Sequence, residues 1–358
     1  MKRILEALIV LAVLAIAYPV FGCTGFAAYG EQPVYGMNFD YPGTELRLTV
    51  SENRCQKHFA MAFLTEDYYQ PTVGMNDRGL FASMQMQFPA QVGQDQHTVD
   101  ELFVHELFGC IRSFGSVAGV QDFVGDRRLK QYSGVTLHVL LADAEGNAMI
   151  AEAGAEQNEF LRIDGDFIVM TNFKNSDFRD TPYDQVDGAG ADRYITAYEY
   201  IGENIEAFGM EQAFETLKLT AQEGSYPTLC SMVFMPEEHS VYVALHRDFD
   251  RIWKVSILDG TIETWRGFEQ DMRFYIPEDG VMASDLIDGD MASYETYTEP
   301  DASEAAPPDT DAETAADTGT AGTDSTGSLN GYWAAGIVLA LAVVLVIGIL
   351  VRNRRRAS

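Results

Sequence analysis

Cys23-Thr24-Gly25-Phe26-Ala27-Ala28, Gly30-Glu31-Gln32-Pro33 and Val34-Tyr35-Gly36-Met37-Asn38-Phe39-Asp40 form the stretch on which the reading of this chain turns. Thr24 to Ala28 and Val34 to Met37 read as two short strands about a Gly/Pro turn, which predicts a hairpin. With the turn centred near residue 31, residue 23 falls opposite residues 39 and 40. The text just upstream is of another kind. Lys2 and Arg3 precede an apolar run from Ala7 to Ala17, Pro19 breaks it, and Val20 and Gly22 are small. Residues 1–22 therefore read as a secretory signal, too short in its apolar part to span a bilayer comfortably. Its removal makes Cys23 the first residue of the mature chain.

A cysteine in that position joins a thiol to an α-amine whose unperturbed pKa is about 7.7–8.0. Such an amine can act as general base for the neighbouring thiol without a separate histidine. Asp40, across the hairpin, is placed to hold and orient the ammonium group. Two other roles stand beside the N-terminal nucleophile. Val20-Phe21-Gly22-Cys23 is a rough lipobox, which would make the protein a non-enzymatic surface lipoprotein lipidated at Cys23, although Phe21 is bulky and a strand begins at once. The other is an inert small apolar side chain.

Composition bounds the rest. Across 358 residues, 54 Asp+Glu face 24 Lys+Arg for a formal charge of −30, which makes nucleic acid a poor partner. Four cysteines are too few for a disulfide-built scaffold or a Cys-rich zinc site, while 47% hydrophobic residues suffice for a core. Tyr332 to Val351 is an uncharged stretch followed by Arg352, Arg354, Arg355 and Arg356. This predicts one transmembrane helix over 332–351 and a basic cytoplasmic tail over 352–358. Residues 274–331 hold fourteen acidic residues and no Lys or Arg, and read as an acidic, disordered stalk. That leaves 23–273 as one catalytic-sized domain. The chain is thus expected at the cell membrane as a single-pass protein, its N-terminal domain extracellular.

Within that domain strand and helix signals come in blocks, which predicts an α+β fold with helices packed outside antiparallel sheets. Strand candidates are Leu46 to Val50, Phe59 to Leu64, Leu80 to Phe88, Val135 to Ala142, Ala148 to Ala153, Glu159 to Ile163 and Phe167 to Asn172. Thr98-x-x-Glu101 reads as a capping box opening an amphipathic helix, and a short helix follows Ser116. Helices near Asp192 to Ala207 and Met210 to Gln222 precede three closing strands, near Cys230 to Met235, Ser240 to His246 and Ile252 to Leu258.

Several stretches then point to a family. Cys23-Thr24-Gly25-Phe26 with Gly36-Met37-Asn38-Phe39-Asp40 resembles the start of choloylglycine-hydrolase-like proteins. These N-terminal nucleophile hydrolases include bile salt hydrolases, penicillin V acylases and the isopenicillin-N acyltransferase group. Gly74-Met75-Asn76-Asp77-Arg78-Gly79-Leu80, Thr136-Leu137-His138-Val139-Leu140-Leu141-Ala142-Asp143, Met170-Thr171-Asn172-Phe173 and Gly190-Ala191-Asp192-Arg193-Tyr194 continue the resemblance in order. The resemblance covers roughly residues 23 to 265.

It implies a four-layer αββα sandwich and a hydrolase of linear, non-peptide amide C–N bonds in a small N-acyl compound. Cys23 would be the nucleophile, Asp40 would fix its amine, Asn172 would donate to the oxyanion, and Arg193 would support the nucleophile region. Asn38 is a candidate substrate contact. Two departures stand out. Met37 takes the position at which many members carry arginine, and the family asparagine after the Gly-Leu strand has no clear counterpart. Gln87 is the nearest equivalent for an oxyanion or substrate contact, with Gln85 on the same strand face. An acyltransferase of the same fold, using an amine acceptor, is the enzymatic rival. His58, His97, His105, His138, His239 and His246 form no HExxH and no CxxC is present, so neither metal nor other cofactor is expected. One disulfide could form among Cys55, Cys110 and Cys230, with no pair preferred.

Overall fold

The expected hairpin is present. In the computed structural model, which describes residues 22–53 and 56–298, β1 (Thr24–Tyr29) pairs antiparallel with β2 (Pro33–Asp40). The register runs from Thr24↔Asn38 to Tyr29↔Pro33, so the hairpin folds about residue 31 and Cys23 faces the Phe39–Asp40 end of β2.

A meander follows: β3 (Leu46–Asn53), β4 (Gln56–Leu64), β5 (Tyr69–Asn76) and β6 (Phe81–Met86). Next come β7 (Glu101–Phe103), a 3-10 helix over Val104–Arg112, α1 (Val117–Val124) and β8 (Arg128–Lys130). The strands β9 (Leu137–Ala142), β10 (Ala148–Ala153), β11 (Asn158–Arg162) and β12 (Phe167–Met170) lead to α2 (Ala191–Asn204) and α3 (Met210–Leu219). The chain then adds β13 (Thr228–Met235), β14 (Ser240–Leu245), β15 (Ile252–Ser256), β16 (Thr261–Arg266), β17 (Arg273–Tyr275), β18 (Val281–Met282) and α4 (Ala283–Asp288).

The first sheet has the order β12-β1-β2-β13-β14-β15-β16-β17 and the second β11-β10-β9-β6-β5-β4-β3-β18. Alternation along each strand sends one set of side chains between the sheets and the other to a helical layer. Ala27, Tyr35, Met37, Phe59, Met75, Phe81, Met232 and Phe234 fill the space between the sheets. Phe26, Val34, Val169 and Val233 pack outward against Ala197, Ile201, Ala213 and Leu217 of α2 and α3. Ala82, Val139 and Leu141 pack outward against Leu107, Ile111, Val117 and Val120 of the 3-10 helix and α1. Helix, sheet, sheet and helix thus stack as four layers, as the resemblance implied.

Three expectations give way. The Thr98–Glu101 capping interaction forms, with Thr98 N–H on Glu101 Oε2 at 3.1 Å, yet no helix starts there. The segment extends to pair in parallel with β8, and the helix begins at Val104, where Glu106 takes the Phe103 N–H. The sequence also left Tyr69–Asn76 without an assignment, although it pairs β4 to β6. Finally, the fold does not stop at residue 273. β17 crosses that boundary, Val281 pairs with Leu48, and Val281, Ala283, Leu286 and Met291 are buried between the sheets. These apolar positions alternate with Asp285, Asp288 and Asp290, so the acidic composition conceals a folded edge. The described residues through Tyr297 belong to one compact unit.

The remainder of the expected stalk, the span 332–351, the tail 352–358 and the signal up to residue 21 lie outside the described residues. Among the described residues no helix is long and apolar enough to cross a membrane. Cys110 and Cys230 carry free thiols, and Cys55 lies outside the described residues.

Candidate active site

Cys23 sits where β1 begins, its thiol turned toward the space between the sheets and 8% exposed. Its main-chain nitrogen donates to Asn172 Oδ1 at 3.1 Å. Asn172 follows β12, which borders β1, so a sheet edge delivers it to Cys23. The second sheet holds it from the other side: Asn172 Nδ2 donates to Met86 O at 2.8 Å, and Phe88 N–H donates to Asn172 O at 2.6 Å. One of the two Nδ2 hydrogens is therefore used on Met86.

Arg193 gathers the rest. It is the third residue of α2 and 5% exposed. Its Nη1 donates to Cys23 O and to Thr24 Oγ1 (2.8 Å), and its Nη2 donates to Asn172 Oδ1 at 2.7 Å. Nη1 also lies 3.9 Å from Asp40 Oδ2. The approach depends on Gly190 before the helix, whose φ is +78° and whose added Cβ would meet Arg193 Nη2 at 2.5 Å. A planar guanidinium with several fixed donors suits this convergence better than an ammonium point charge.

Asp40 is 2% exposed and accepts from Gln222 Nε2 at 2.6 Å and from Thr228 Oγ1. Burial pushes its carboxyl up to about 6 against the opposing pull of Arg193, Thr228 and Gln222. Gln222 Nε2 also donates to Gly22 O at 3.1 Å, so it links Asp40 to the carbonyl that precedes Cys23. A Cβ at residue 22 would lie 2.2 Å from Gln222 Nε2 and 2.6 Å from Arg193 Nη2, so a side chain there would displace both. Burial, and then the charge of Asp40, push the Cys23 thiol up to about 12; the Asp40 main-chain N–H and Arg193 pull the other way. The arrangement thus disfavours the thiolate at Cys23.

Cys23, Asp40, Asn172 and Arg193 thus converge. Gln87 follows β6 on the second sheet: it is fully buried, its main chain pairs with Thr136, and neither end of its side-chain amide has a hydrogen-bond partner among the described residues. Gln85 differs. In the amide orientation that its neighbours satisfy, it accepts from Gly25 N–H at 3.1 Å and donates to Thr171 O at 3.3 Å, which ties the second sheet to β1. Met37 lies between the sheets with Ser83 Oγ 3.0 Å from its sulfur, so the position offers the thiol no cation.

Asn38 is not brought to the face on which the Cys23 thiol lies. Its side chain turns outward, where Nδ2 donates to Leu217 O and Thr220 Oγ1 and Oδ1 accepts from Ser231, which anchors α3 to β2. Sequence reasoning missed Thr24, Gln222 and Thr228. Their types and spacing carry no local signal, and only the strand register and the turn after α3 bring them in. Among the described residues no three His, Cys, Asp or Glu side chains gather as a metal-binding group.

No protein-family model matches the sequence, and no curated protein does. Solved structures do match. One variant of conjugated bile acid hydrolase from Clostridium perfringens aligns with TM-score 0.50 and 17% identity over 68% of this chain and 97% of that one. Another variant of that enzyme aligns with TM-score 0.51 and 14% identity over 72% and 97%. Penicillin V acylase from Agrobacterium tumefaciens gives TM-score 0.47 and 14% identity over 68% and 90%. Both bile acid hydrolase structures are matched over 97% of their own length, and the chain has their fold.

Proposed function

We propose that this protein is a cysteine N-terminal-nucleophile amidohydrolase that cleaves the linear amide C–N bond of a small N-acyl compound. The observation that carries this reading is the convergence of Asn172 Oδ1, Arg193 and the Cys23 nitrogen at 2.7–3.1 Å, in the fold of conjugated bile acid hydrolase. Removal of residues 1–22 would turn that nitrogen into an α-amine. With the thiol pushed up to about 12, the proton has to leave during attack, and the amine beside it is the nearest base. Sulfur then bonds to the acyl carbon, the C–N bond breaks as the ammonium returns its proton to the departing amine, and water opens the thioester. The second Asn172 N–H and the unpaired Gln87 amide would be the donors that meet charge on the acyl oxygen. Asp40 would hold the ammonium, and Arg193, donating to Cys23 O and Thr24 Oγ1, would hold the strand end in place.

In the same reading residues 1–22 direct export, the acidic segment beyond the folded unit is a stalk, and residues 332–351 hold the enzyme at the cell membrane, catalytic side out. The test is turnover of chromogenic N-acyl amides by the mature full-length protein, with Cys23→Ala and Cys23→Ser as controls. Both variants should be inactive; turnover in the Ala variant would end the thiol mechanism. Intact mass of the mature N-terminus should give free Cys23, and a diacylglyceryl adduct there would instead make the protein a surface lipoprotein.

A further inference from the structure

A second buried polar cluster grips the segment that follows Asn172. Glu152 on β10 and His138 on β9 are both fully buried. Glu152 Oε1 accepts the Asn175 main-chain N–H at 2.7 Å and Asn175 Nδ2 at 3.2 Å, and Oε2 accepts the Ser176 N–H at 3.0 Å. His138 Nδ1 stands 3.3 Å from Oε1; facing a carboxylate, that nitrogen carries the ring hydrogen and donates it. Burial alone would raise the Glu152 carboxyl, but the hydrogen bond and charge of His138, with Ser176, hold it down to about 2.

A fully buried carboxylate is costly unless its lone pairs are used, and a neutral Asn or Ser could cap a short turn at less cost. What this one holds is the 3-10 turn Asn175–Phe178, which starts three residues after Asn172. Asn172 itself is tied to the continuation of β6 through Met86 and Phe88. The segment 172–176 therefore leaves the first sheet at β12 and is fastened to the second sheet at two places, at Asn172 itself and three to four residues later at Asn175 and Ser176.

We propose that Glu152, backed by His138, is a positioning residue: it fixes the 172–176 segment to the second sheet and so sets where Asn172 meets the nitrogen of Cys23. Only the kinetic half of the test rests on the amidohydrolase reading. In the full-length chain, Glu152→Gln should raise amide hydrogen exchange at residues 172–176 at least ~10-fold while β1, β2 and β13 keep their protection. It should lower kcat per titrated active site roughly 10–100-fold with KM within about threefold, since a small misplacement near the chemistry costs about that much. In an Asn172→Ala background the same change should cost nothing further. His138→Gln, which keeps a donor, should retain most of the rate, and His138→Leu should reproduce the loss; this pair serves if Glu152→Gln does not fold. Unchanged exchange at 172–176, exchange rising across both sheets, or fully multiplicative losses in the double variant would each overturn the proposal. If the protein cleaves no amide, the exchange result still decides it.

Discussion

The main-chain nitrogen of Cys23 and Oδ1 of Asn172 lie 3.1 Å apart across 149 residues of sequence, and Arg193 donates to the same oxygen at 2.7 Å. One amide oxygen thus serves both the atom that would become the catalytic amine and the cation that braces it. Its second lone pair is what permits this. In the uncut chain these bonds fix the direction of the Cys23 nitrogen.

Arg193→Lys should show what that shared oxygen is worth. A single ammonium cannot reach Cys23 O, Thr24 Oγ1 and Asn172 Oδ1 together, and the loss leaves buried acceptors unpaired. We expect about 2–4 kcal/mol less stability in urea unfolding and at least ~10-fold lower kcat/KM. Wild-type values of both would remove Arg193 from the site.

The Cys23 thiol should change reactivity when residues 1–22 leave. Pushed up to about 12 in the uncut chain, it offers almost no thiolate at pH 8. Alkylation by iodoacetamide, followed by mass spectrometry, should be at least ~100-fold slower in the uncut chain than in the mature protein. Cys110, likewise pushed up to about 12 by burial, is the internal control and should stay slow in both.

Asp40 gives a pH prediction whose sign follows from its raised carboxyl. The folded chain binds this proton more tightly than the unfolded one, so its contribution to stability is fully present below about pH 4 and is lost as pH rises through about 6. The stability of the uncut chain relative to Asp40→Asn should therefore fall by on the order of 3 kcal/mol between pH 4 and 7. Urea midpoints across that range measure it, and a flat difference would contradict the assignment. In the mature protein an adjacent ammonium favours the ionised form, so the fall should be smaller.

Gln87→Leu should separate stability from activity. Both ends of the Gln87 amide are buried without partners, so an apolar side chain of similar size removes a desolvation cost. We expect stability unchanged or higher by about 1–2 kcal/mol while kcat falls at least ~10-fold. Full activity in the Leu variant would mean that the amide takes no part in turnover.

How much of this could be read from the chain depends on how far apart the partners lie. The β1–β2 hairpin was legible because Gly30 to Pro33 and the flanking alternation are contiguous, and its register alone carried Asp40 toward Cys23. Asn172 and Arg193 entered through short stretches resembling a family, not through any local physics. Glu152, Gln222 and Thr228 were invisible, since each acquires meaning only from a partner on another strand. The Thr98–Glu101 signature was read correctly as a bond and wrongly as a helix start, because pairing with β8 outweighed local propensity. Asn38 was not legible, because β2 is buried on both faces and only its hydrogen bonds to Leu217 and Thr220 show which way it turns. Beyond residue 273, acidic composition hid the apolar positions Val281, Ala283 and Leu286.

The link from Asp40 through Gln222 to Gly22 has a consequence in charge. In the uncut chain the buried centre holds one carboxylate, Asp40, and one guanidinium, Arg193, so at neutral pH their formal charges cancel. Freeing the Cys23 nitrogen removes the Gly22 carbonyl from Gln222 and introduces an ammonium whose position is already defined by Asn172. The centre then carries one positive charge in excess, in a place with little water to disperse it. A single negative charge, on sulfur or on the acyl oxygen, is what restores neutrality there, so release of the N-terminus itself would make the site hospitable to the anion that the reaction forms.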